Sequence, residues 1–108
     1  MKTLPYTAAT ETGDKFDINF PLHDETSDAV KVHNLISSLL SAIESDIKLS
    51  NGMDNGDVLQ AMAMALAIRA RMIHAPHEVT AQIALDLLST AVNAAGKALH
   101  DRAEAGTA

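Results

Sequence analysis

The chain has no cysteine and no tryptophan, and its aromatic side chains amount to Tyr6, Phe16 and Phe20. Without thiols it has no disulfide framework, no cysteine nucleophile and no thiolate metal site, which suits a reducing compartment; the cytoplasm is the expected location. Positive charge is also scarce. Eight Lys and Arg against fourteen Asp and Glu give a formal charge of -6, and the cations are scattered from Lys2 to Arg102 without forming a stripe. Phosphate backbones are repelled by such a balance, so nucleic acid is not an expected partner. Long apolar runs are missing as well. The longest, Ala61 to Ile68, falls far short of the ~20 residues that cross a bilayer, and the opening Met1-Lys2-Thr3-Leu4-Pro5 carries no apolar stretch of signal-peptide length. No membrane association is expected.

What remains is a diet of Ala, Leu, Ile, Val and Met, which favours helices. At 108 residues the chain fits one domain, with residues 1–22 as a β segment, 24–102 as a helical core and 103–108 as a frayed tail. In the β segment, Lys15 to Leu22 alternates strictly, placing Phe16, Ile18, Phe20 and Leu22 on one face of a strand. Glu11-Thr12-Gly13-Asp14 reads as a turn, so Leu4 to Thr10 can run back as an antiparallel partner. A lone hairpin is marginal in water and needs helices, or a strand from a second copy, against it.

Beyond Pro21 the period becomes helical. Asp24, Thr26 and Ser27 offer caps for a first helix from Asp28 to about Leu49, whose apolar stripe is Val32, Leu35, Ile36, Leu39, Leu40, Ile43 and Ile47. Ser50-Asn51-Gly52 ends it, since Asn and Gly accept the left-handed conformation of a helix C-terminus. A second helix follows Asp54-Asn55-Gly56-Asp57 and is expected to reach about His74. Between Val58 and Ile68 only Gln60 is polar, so both faces of this helix can pack. Pro76 suits the start of a third helix, expected to end near Asp101 or Arg102, with a wide apolar arc that includes Leu85, Leu88, Val92 and Leu99. The reading is a mostly α fold: a three-helix bundle-like domain behind a short β-strand or hairpin.

A core-facing helix needs an apolar arc of somewhat over about 100°. The second and third helices exceed it, and exposing several large aliphatic side chains forgoes much of a small domain's margin. A homodimer is therefore expected, with Phe16, Ile18, Phe20, Leu59, Leu66, Ile73, Leu85 and Val92 at the interface, and a helix of another protein as a further possible partner. The corresponding function is that of an interaction or accessory protein without catalytic activity.

The residues that could carry chemistry converge poorly. His74 and His77 have helical spacing, but Pro76 interrupts it; His23, His33 and His100 stand apart, and no Glu-x-x-His or His-Glu-x-x-His motif occurs, so no metal site is expected. Ser37, Ser38, Ser41 and Ser45 form a polar helix face with no acid–base partner, and Asn51-Gly52 and Asn55-Gly56 lack the spacing and the lysine of a phosphate cradle. No cofactor is implied. Arg69 is the exception, because it falls within the large apolar arc of the second helix. With Met62 and Met72 beside it and Asp86 as a counter-charge, it defines the alternative reading: a small-molecule or anion sensor with an interhelical pocket.

Overall fold

A computed structural model describes residues 2–102. In chain order the elements are β1 (Thr3–Ala9), β2 (Lys15–Pro21), α1 (Ala29–Leu49), α2 (Asn55–Arg71), α3 (His77–Gly96) and β3 (Leu99–Asp101). The expected hairpin and three helices are present, and the strands form one antiparallel sheet in the order β1-β2-β3. The described residues gather into two compact units, one from residues 2–29 with 87–102 and the other from residues 30–86.

The first unit is organised by the hairpin. Its register sets Leu4 opposite Phe20, Tyr6 opposite Ile18 and Ala8 opposite Phe16, so one face carries the apolar side chains of both strands. Leu4 and Tyr6 are buried at 8% exposure each, and Phe16, Ile18 and Phe20 are half-buried. The turn is closed by Thr10, whose backbone N–H donates to the Asp14 carbonyl at 2.9 Å while its side-chain oxygen accepts from the Asp14 N–H at 3.1 Å. Gly13, at a φ of 95°, supplies the conformation that an L side chain resists. At the other end the Leu22 N–H donates to the Lys2 carbonyl. These two bonds fix the parity of the ladder: even-numbered β1 residues exchange bonds with β2, and odd-numbered ones face outward. Pro5 and Pro21 both hold non-bonded positions, so neither costs the hairpin a hydrogen bond.

The third strand corrects the expected course of the C-terminal helix. Instead of running to Asp101 or Arg102, α3 stops at Gly96, where Lys97 and Ala98 tighten the last turn through bonds to the Ala94 and Ala95 carbonyls. Leu99–Asp101 then pairs with Asp17, Phe16 and Lys15 of β2. Glycine is a weak helix residue, and the open side of β2 offers backbone partners that a frayed helix end lacks. The expected tail, 103–108, lies outside the described residues.

In the second unit the helix boundaries follow local chemistry. α1 ends in a Schellman motif: the Gly52 N–H donates to the Ile47 carbonyl at 2.8 Å and the Asn51 N–H to the Lys48 carbonyl at 3.2 Å, with Asn51 at a φ of 62°. α2 stops at Arg71, short of His74, because the chain turns tightly at Ile73–Ala75 ahead of Pro76, which disfavours helical geometry in the residue before it. The Pro76 carbonyl then accepts from the Val79 and Thr80 N–H groups and opens α3.

No two helix backbones in this unit approach closely along their length. Each helix nevertheless has a more covered side. On α1 it is Ala29, Val32, Ile36, Ile43 and Ile47; on α2, Val58 and Ala70; on α3, Thr80 and Ala84. Large side chains on the remaining sides face solvent, among them Leu35, Leu39, Met64, Ile68 and Leu85.

Candidate functional site

The feature these elements build most clearly is an apolar surface. Among the described residues the buried hydrophobic side chains are Leu4, Tyr6 and Ala70, and no large side chain is fully buried. The residues expected at an interface fall into two sets. Phe16, Ile18 and Phe20 share the inner face of the hairpin and are half-buried there. Leu59, Leu66 and Ile73, in and just beyond α2, and Leu85 and Val92 on α3 are exposed, from 40% at Leu66 to 66% at Leu59.

Sidedness within α2 is the information that the sequence withheld. Taking 100° per residue, the more covered Val58 and Ala70, with Met62 and Leu66 between them, define the inward side. Asp57, Ala61, Met64, Ile68 and Arg71 lie together on the outward side, and all five are exposed. Met64 and Ile68, at 55% and 57%, are its largest apolar members. Their spacing of four, three, four and three residues is that of a coiled-coil seam.

The residues of the alternative reading lie on α2, just beyond its end and on α3. Arg69, Met62 and Met72 are exposed, and the Asp86 carboxylate accepts a 2.9 Å bond from Gln82 Nε2 one turn earlier on α3. A groove of about 610 Å³ occurs elsewhere, in the first unit, lined in part by Pro5, Asp17, Asn19, Asn93, Lys97 and Leu99. Asp17 in this lining is engaged at one oxygen by the Thr7 hydroxyl at 2.6 Å.

Sequence reasoning also missed the role of His100. Its ring stacks on Phe16 with centroids 4.2 Å apart and planes 20° from parallel, and its Nε2 lies 3.7 Å from Asp14 Oδ2. The histidine thus secures β3 on β2, next to the hairpin turn. No group of three or more His, Asp or Glu among the described residues is placed to hold a metal ion, and no helix there is long and apolar enough to cross a membrane. No family model, curated protein or solved structure matches this chain.

Proposed function

We propose that this chain works by self-association, as a homodimeric helical interaction protein whose product is a surface and which has no catalytic role. One observation carries the reading: the helices leave many of their large aliphatic side chains open to solvent, with Leu59, Leu85 and Val92 each more than 60% exposed, while the buried apolar set among the described residues is Leu4, Tyr6 and Ala70. Covering one large aliphatic side chain is worth roughly 1.5–3 kcal/mol, against a total stability of about 5–15 kcal/mol for a native domain. Several such side chains left in water forgo a share of that total which a second copy can restore, and C2 pairs are the commonest closed assembly.

Native mass spectrometry of the full chain tests this. A dimer mass at micromolar concentration is expected, together with a thermal midpoint that rises with protein concentration, because association stabilises by mass action. A monomer mass with a midpoint independent of concentration overturns the proposal.

A further inference from the structure

We infer that two copies meet along the outward side of α2, antiparallel, with Met64 on the two-fold axis. The inference rests on the self-association proposed above and assigns it a seam and a direction.

The seam consists of Asp57, Ala61, Met64, Ile68 and Arg71, spaced as the core positions of a coiled coil and exposed in the single chain. Its two ends differ in sign. Asp57 is the acidic residue of the first turn and Arg71 closes the last, with no charged residue between them except Arg69, which lies off the seam toward the inward side. Parallel pairing would set Asp57 against Asp57 and Arg71 against Arg71. Antiparallel pairing about Met64 instead sets each Asp57 against Arg71 of the second copy. It also sets the small Ala61 against the large Ile68, twice, with the two Met64 side chains meeting at the centre.

Three separate terms thus favour one direction. Opposite charges meet at both ends of the seam, small side chains face large ones so that the layers that flank Met64 have a similar volume, and the two helix dipoles lie side by side in opposite directions. The flexible, polarisable methionine suits the axis, where the same side chain must pack against its own copy.

The absence of cysteine from the chain makes the geometry directly readable. In Met64→Cys, two thiols on the axis are close enough to bridge, so oxidised glutathione should convert most of the protein to a covalent dimer. Ala61→Cys and Ile68→Cys alone should remain largely unlinked. A mixture of those two variants should give the heterodimer link, since positions 61 and 68 oppose each other only across the antiparallel seam. Asp57→Arg should weaken the dimer roughly tenfold or more by turning two attractions into repulsions, and adding Arg71→Asp should restore it. Circular dichroism of each variant checks that its helices are kept.

Efficient linking of Ala61→Cys to itself would show a parallel seam and overturn the inference. So would a native dimer in which Met64→Cys does not link, although self-association would then stand. A monomer mass for the unmodified chain removes both.

Discussion

Replacing Leu4 by alanine measures how much of the stability a single copy supplies for itself. Leu4 is 8% exposed and faces Phe20 across the hairpin, so nearly all of its side chain is out of water without help from a second chain. The substitution deletes three carbons, each worth about 0.8 kcal/mol when buried, and the hole left behind adds to this; a sheet face this thin can partly collapse, which places the total at about 2–3 kcal/mol. Leu99, in the same sheet but 74% exposed, should lose no more than about 0.5 kcal/mol on the same change. Urea unfolding followed by circular dichroism at two protein concentrations reads both values. The loss from Leu4→Ala should be the same at each concentration, because its contacts are within one chain. Equal losses for Leu4→Ala and Leu99→Ala would refute the reasoning, since burial within the hairpin would then have no bearing on stability.

Two further substitutions probe local devices. Asn51→Ala forces an alanine into the left-handed conformation that ends α1 and should cost about 1 kcal/mol in urea unfolding, whereas Asn51→Gly should be neutral or slightly stabilising; an equal loss for both would show that the asparagine side chain, and not its backbone, is what matters. His100→Ala removes the stack on Phe16, and a ring pair of this kind is worth about 0.5–1.5 kcal/mol. Hydrogen exchange at the Leu99–Asp101 amides should then quicken by up to about tenfold. His100→Phe, which keeps a ring but loses the approach to Asp14, should recover most of the protection; failure to do so would assign the hold on β3 to the contact with Asp14.

Much of the fold was legible because its signals are local. The alternation of Phe16, Ile18 and Phe20, the turn at Gly13 and the stop at Asn51-Gly52 each describe a few consecutive residues, and the structure contains all three. The third strand was not legible. Three residues are too short for a period, and their partner, Phe16, is far away in the sequence, so the helical arc that Leu99 extends was the stronger local pattern. The inner side of α2 was hidden for the opposite reason: with Gln60 alone as a polar marker from Val58 to Ile68, periodicity is too weak to orient the helix, and only the covered Val58 and Ala70 do so. What surrounds Arg69 and Asp86 is a matter of tertiary placement that no wheel drawn for one helix contains.

The placement of proline in the hairpin bears on how far any assembly can grow. Pro5 sits midway along the outer strand at a position whose backbone groups point away from the sheet, so an incoming strand would find no N–H there to bond. The opposite margin is held by a strand of only three residues. Neither margin therefore offers a long bare edge for the open-ended strand stacking that leads to fibres, and the self-association proposed above would have to run through the helices.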